Sequence, residues 1–233
     1  MARVFFVTGS KGGVGKSVGA IALLDYFEMG NRQVSLVETD TANPDVGKAY
    51  QKSVKSFSLV NLDENEGWLD LLDIVDASKE DEVVVNTAAR NNEGVNRYGS
   101  MFDDKLSEFG WPFISFFLIN QQRDSCEMLT EYMNVVKHGR IHVVRNRFFG
   151  MAPSLFELYD NSPLRQAVEA RQGLSLFLPQ LATRVTNLVQ SNRLTLERAR
   201  ETATLGSRAE IERWRRECAQ NIFDKVCDDA PSK

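Results

Sequence analysis

The 233-residue sequence has no apolar run long enough to cross a bilayer; the longest candidate, Trp111–Ile119, has the length of a buried strand. Its three cysteines, Cys126, Cys218 and Cys227, form no CxxC pair and no Cys/His cluster, which excludes a disulfide framework and a zinc site. Two histidines, His138 and His142, are too few for a metal site built on imidazole. There is no internal repeat and no low-complexity tract, so solenoids and disordered scaffolds are excluded as well. Strand-forming residues begin at Val4, leaving no room for a secretory leader, and the expectation is a soluble, cytoplasmic chain without stable membrane insertion.

What remains is an ordinary globular composition, 42% hydrophobic and 26% charged, at a length that one α/β domain accommodates. One domain over residues 1–233 is therefore expected. The net charge is −4, but the acidic excess belongs to the first half of the chain. Eight arginines fall between Arg184 and Arg216, against Glu197, Glu201, Glu210 and Glu212. Such a run reads first as a solvated helix face and, alternatively, as a polyanion contact.

Runs rich in β-branched and aromatic residues recur at Val4–Thr8, Val34–Val37, Val83–Val85, Phe113–Ile119, Ile141–Val144 and Leu174–Leu178. Helical spacing lies between them, as at Ile21, Leu24 and Met29, or at Met128, Leu129, Tyr132, Val135 and Val136. Strands buried on both faces and alternating with helices predict a three-layer α/β fold, a mainly parallel sheet covered on both sides. Near the end, Ile211, Trp214, Cys218, Ile222 and Val226 form one stripe and predict an amphipathic helix over about 207–227. Docking on the sheet is its first reading, a membrane-surface or partner-binding helix its second.

The chemistry concentrates in Gly9-Ser10-Lys11-Gly12-Gly13-Val14-Gly15-Lys16-Ser17, between the first strand and a helix, with the spacing G-x-x-x-x-G-K-[ST] of a phosphate-binding loop. Glycines allow the backbone to turn its N–H groups inward, so those of Gly13 to Ser17 and the helix N-terminus converge on a β-phosphate. Lys16 adds a point charge for the β/γ-phosphates and Ser17 a hydroxyl ligand for Mg²⁺. Gly12 to Val18 are the expected contacts to ATP or ADP.

The second lysine, Lys11, gives K-G-G-V-G-K-S, which resembles the deviant Walker A box of the ParA/MinD P-loop ATPases. The resemblance implies that Lys11 reaches the phosphates held by a partner subunit in an ATP-bound homodimer. A cation delivered in trans would stabilise transferring phosphoryl charge only when the dimer closes. The resemblance also implies that Asp40, in "LVETDTANPD", orients the attacking water, that Glu38 replaces the first aspartate of a D-x-D motif near Mg²⁺, that Asp40 joins Ser17 and Glu38 in the metal site, and that Asn146 meets the adenine edge. An Asx turn is the other reading of Asn146. Two positions depart from the pattern: Asn86 stands where an acid ends the strand before switch II, and Val18 replaces a hydroxyl residue. Both point to a weak Mg²⁺-dependent ATPase.

Size, the lone ATPase domain, the Asn86 substitution and the absence of a DNA-binding head make the chain most similar to the plasmid stability and conjugative transfer ATPases of the StbB/TraL type. The implied function is an ATP-dependent dimerisation switch for plasmid DNA segregation or conjugative transfer, acting on non-specific DNA or on a plasmid-encoded DNA-binding or transfer protein. The alternatives are a nucleotide-bound scaffold with negligible turnover and an ATP-dependent ligase like dethiobiotin synthetase.

Overall fold

In the computed structural model, which describes residues 2–78, 81–89 and 91–227, the apolar runs become the strands of one seven-stranded sheet. Its elements are β1 (Arg3–Gly9), α1 (Lys16–Met29), β2 (Val34–Glu38), α2 (Asp45–Tyr50), β3 (Ser56–Leu59), α3 (Asn65–Ala77), β4 (Glu82–Asn86), α4 (Asn92–Glu108), β5 (Phe113–Ile119) and α5 (Arg123–Val135). There follow β6 (Arg140–Asn146), α6 (Glu157–Asp160), α7 (Pro163–Ala170), β7 (Ser175–Leu178), α8 (Thr183–Asn192), α9 (Leu196–Thr202) and α10 (Leu205–Asn221). Three 3-10 turns, Arg147–Phe149, Pro153–Phe156 and Phe223–Lys225, complete the set. Met1 and residues 228–233 of the expected 1–233 domain lie outside the described residues.

The strand order is β3-β2-β4-β1-β5-β6-β7 and every pairing is parallel. The predicted three-layer α/β architecture is what forms. Alternation along β1 explains the layers: Phe5 and Val7 enter a core with α1, α2, α8, α9 and α10, while Val4 and Phe6 enter one with α3, α4 and α5. Parallel strands covered on both faces have no solvated side, hence runs such as FISFFLI in β5. Because β1 lies between β4 and β5, the chain direction across the sheet reverses beside it, and a crevice opens at its carboxyl end.

Three readings of the sequence change. The edge strand β3, SFSL, was not expected, because half-exposed edge residues carry little apolar signal. Met29 is 51% exposed and does not share the buried face of Ile21 and Leu24. The stripe Ile211, Trp214, Cys218, Ile222 and Val226 is buried throughout, against the sheet side of the fold. Its helix nevertheless stops at Asn221: Ile222 leaves helical geometry (φ −127°, ψ −68°) and a 3-10 turn delivers Phe223 and Val226 to the core.

Candidate phosphate-binding site

The loop 9–15 links the end of β1 to the start of α1. Gly15, just before α1, has φ +104°, and a Cβ there would lie 2.3 Å from the Asn146 amide nitrogen. Only glycine satisfies both conditions. Gly13 also adopts a positive φ, +78°. Val14 between them is buried in the core and anchors the loop from beneath. The first i to i−4 bond of α1 is Gly19 N–H to Gly15 C=O at 2.9 Å, so the N–H groups of Lys16, Ser17 and Val18 stand at the positive end of the helix.

Lys16 is buried, and its Nζ donates to the Lys11 carbonyl at 2.9 Å across the loop. Burial lowers its ammonium to about 8, with the Asp40 charge pulling upward. The loop forms one wall of a cavity of about 480 Å³, within the range that holds a small ligand. Gly12, Gly13, Gly15, Lys16, Ser17 and Val18 line it, facing Glu38, Asp40 and Asn86 from the ends of β2 and β4. Lys16 is the one cation among the described lining residues. The Ser17 hydroxyl, two carboxylates and an amide oxygen are all hard oxygen donors, a set that fits Mg²⁺ and not a thiolate- or imidazole-seeking metal.

Glu38 is almost fully buried. It accepts from Asn86 Nδ2 at 2.6 Å and from Gly47 N–H at 3.0 Å. Burial pushes its carboxyl up to about 7, against the downward pull of those two donors. Asp40 is half-buried at the cavity edge and accepts from Asn43 N–H at 3.0 Å, which closes a turn leading into α2.

Lys11 does not line the cavity. Its amine turns outward to the start of α5, donating to Gln122 Oε1 and, at 3.0 Å, to Asp124. Asn146 does line it, from the end of β6. Its Nδ2 donates to Val14 C=O and its Oδ1 accepts from Phe148 N–H, each at 2.9 Å. The side chain thus makes the Asx turn of the second reading and also braces the loop; one N–H and one lone pair remain for a ligand.

Thr39 and Asn91 escaped sequence reasoning. Thr39 Oγ1 donates to Asn91 Oδ1, and both oxygens accept from Ala88 N–H, at 2.8 and 2.9 Å. Asn91 Nδ2 then donates to Asp63 at 2.8 Å. This buried network ties the segment after β4 to the end of β2 and fixes the wall opposite Lys16. No local pattern announces it, because its members lie 52 positions apart.

Among the described residues, four arginines of the run, Arg198, Arg200, Arg213 and Arg215, form ion pairs on α9 and α10. Arg198 meets Glu201, Arg200 meets Glu197 and Glu212, and Arg213 meets Glu210 and Glu217. Arg215 is buried, 2.5 Å from Asp25 of α1 and 2.8 Å from Glu197. Its role is internal, whereas the sequence counted it with the surface arginines.

Among the described residues, no helix is long and apolar enough to cross a membrane. No family model matches the chain. Among solved structures it resembles a ParA family ATPase from Chlorobium tepidum TLS, with a TM-score of 0.55 and 14% identity over 92% of this chain and 97% of the other. It also resembles the MinD cell division protein of Aquifex aeolicus, at a TM-score of 0.54 and 14% identity over 94% and 98% of the two chains. The fold is therefore that of the ParA/MinD P-loop ATPases. Protein MobD of Acidithiobacillus ferrooxidans is 44% identical over 223 residues, 96% of this chain and 97% of that protein, and to its family the chain belongs.

Proposed function

We propose that the chain is a Mg²⁺-dependent nucleotide-binding switch that holds ATP or ADP in this cavity, hydrolyses ATP slowly and forms a homodimer in the ATP state. The observation that carries the reading is one buried lysine folded over a glycine loop at a helix N-terminus, facing two carboxylates across a cavity. Backbone N–H groups from Gly13 to Val18 and the Lys16 ammonium hold the phosphates. Ser17, with Glu38 and Asp40 nearby, would hold Mg²⁺, which would supply positive charge against that of the β- and γ-phosphates. Asp40, at the cavity edge, orients a water toward the γ-phosphate, and Asn146 presents its remaining amide groups to the base. Lys11, turned outward, is the residue available to a second subunit. Residues 1–233 act as one domain in this reading.

The dimer would position plasmid DNA for segregation or conjugative transfer. Ion pairing takes up Arg198, Arg200, Arg213 and Arg215, half of the arginine run, and the cargo is non-specific DNA or a plasmid-encoded DNA-binding or transfer protein. A nucleotide-bound scaffold with negligible turnover is the second reading, favoured by neutral Asn86 and by the turn that engages Asp40. Calorimetry with ATP and Mg²⁺, followed by phosphate release with and without DNA, tests both. Binding with slow release supports the switch, and binding without release supports the scaffold. Unaltered affinity in Lys16→Ala would discard the phosphate-loop assignment.

A further inference from the structure

The two sides of the cavity differ in chemistry. The phosphate loop stands at the end of β1, with Glu38 and Asn86 on the side of β2 and β4. On the other side, beyond β5, the ends of β6 and β7 and helix α8 make the wall, and its described lining residues carry no charge. Leu178, Pro179 and Leu181 are apolar there, while Gln180, Thr186 and Gln190 are neutral and polar. An uncharged, largely apolar lobe beside a cationic loop suits a heterocycle attached to a polyphosphate. Phe148 lines this lobe with its ring 62% exposed, and the way it is held distinguishes it from an ordinary exposed aromatic. Asn146 Oδ1 accepts the Phe148 N–H while Asn146 Nδ2 donates to Val14 C=O of the phosphate loop, each at 2.9 Å. One side chain thus fixes the backbone of Phe148 relative to the loop. Phe149 packs edge-on against the Phe148 ring, with centroids 5.5 Å apart and planes at 85°, and Gly150, at φ +139°, ends the turn. Asn146 itself is buried, and half of its hydrogen-bonding capacity is spent within the fold.

We infer that this site holds the base of its nucleotide by the face and not by the edge: Phe148 is the platform on which the ring system stacks, and Asn146 is the residue that positions Phe148. This rests on the nucleotide-binding reading and moves the weight of base recognition from the Asn146 amide to the Phe148 ring. Every nucleobase has a π-face, so stacking discriminates weakly among bases. Gln180 and Gln190 reinforce that tolerance, since a side-chain amide can turn to present either its N–H groups or its oxygen. Among the described residues of the lobe, no carboxylate or cation selects one purine edge over the other. The ligand class is therefore a purine nucleoside triphosphate, with adenine and guanine both accepted, and a polyphosphate without a base lacks what the ring supplies.

Calorimetry on the full-length chain with Mg²⁺ compares ATP, GTP and inorganic tripolyphosphate in wild type, Phe148→Ala and Phe148→Trp. Wild type is expected to bind ATP and GTP within about tenfold of each other. Phe148→Ala is expected to lose at least about tenfold in affinity for both nucleotides and to bind tripolyphosphate within about twofold of wild type. Phe148→Trp keeps a π-face and should bind ATP within about threefold of wild type. No native tryptophan lines the cavity among the described residues, so the indole added by Phe148→Trp should change its emission with ATP and not with tripolyphosphate. Wild-type affinity for ATP in Phe148→Ala would overturn the inference, and with a weakened dimer it would assign the ring to a subunit contact. An equal loss for ATP and tripolyphosphate would also overturn it, by making Phe148 a support of the loop. So would a wild-type preference for ATP over GTP above about tenfold, which would mean that the edge of the base is read. A wild-type chain that binds none of the three ligands would instead remove the reading on which the inference stands.

Discussion

At the carboxyl edge of the sheet, Lys16 donates to a backbone carbonyl and faces a cavity, while on α10 Arg215 reaches two carboxylates, Asp25 and Glu197, from inside the packed layer. Both cations are buried, at 7% and 8% exposure. Among the described residues one has no counter-ion in contact with it, and the other has two. A buried charge is unfavourable unless paired, so the first stores a preference for an anionic ligand and the second is consumed by the fold. In the proposed reading, functional and structural charge differ here by pairing and not by burial.

The widest test of that contrast is to remove each charge and read both binding and stability. Lys16→Met should lower nucleotide affinity by at least about a hundredfold, because a charge-assisted phosphate contact and its long-range field vanish together. Stability should hold or rise. Burial of Lys16 has already depressed its ammonium to about 8, and a neutral side chain of similar length relieves that cost. Calorimetric affinity and the melting temperature measure the two sides, and a marked fall in melting temperature would show Lys16 to be structural.

Arg215→Met should do the opposite. It strands Asp25, which is 2% exposed, without its counter-charge, a loss of about 3–5 kcal/mol by urea unfolding. Nucleotide affinity of the folded fraction should stay within about threefold of wild type, since Arg215 does not line the cavity. Exposed Arg216, changed to Ala, should cost under about 0.5 kcal/mol. Equal effects at 215 and 216 would erase the distinction between core and surface arginines.

His142 belongs to neither region and sharpens the comparison through pH. Its Nδ1 accepts from Leu174 N–H at 3.1 Å, and its Nε2 is buried without a partner. Burial, reinforced by nearby Arg140, lowers its imidazole to about 4. The unfolded chain therefore binds a proton that the folded chain refuses. Stability is fully present above pH 6.5 and falls as pH drops toward 4, by up to about 3 kcal/mol in all. His142→Asn keeps an acceptor near Leu174 N–H and should be less stable at neutral pH but flatter between pH 6.5 and 4. A parallel slope in both proteins would assign the acid sensitivity elsewhere.

How much of this was legible follows from where the information lies. The phosphate loop could be read because its glycines, Lys16 and Ser17 are contiguous and each has a local reason. Six strands could be read because both-face burial demands long apolar runs. The strand β3 was hidden, since two of its four residues are exposed at the sheet edge. Arg215 was indistinguishable from Arg213 and Arg216, because its partner Asp25 lies 190 positions away. Asn86 read as a departure from a pattern for the same reason: its meaning depends on Glu38, one strand over and 48 positions earlier. Pairings across the sheet are properties of topology, and single positions carry no trace of them.

The smallest expected effect concerns Lys11. Its amine is held on its own subunit by Gln122 and Asp124, a contact at the surface, with the Lys11 side chain 38% and the Asp124 side chain 59% exposed. Exposed ion pairs contribute about 0–1 kcal/mol, so this restraint is weak and screened by salt. If Lys11 acts on the nucleotide of a second subunit, it must leave this contact for the dimer to form. Asp124→Ala should therefore raise the ATP-dependent dimer population by no more than about fivefold. The gain should shrink as salt increases, and Lys11→Ala should abolish the dimer while leaving nucleotide affinity nearly intact. Sedimentation with ATP at two salt concentrations measures all three proteins. A dimer that persists in Lys11→Ala would end the trans role, and one that weakens in Asp124→Ala would place Asp124 in the interface itself and not in a restraint on Lys11.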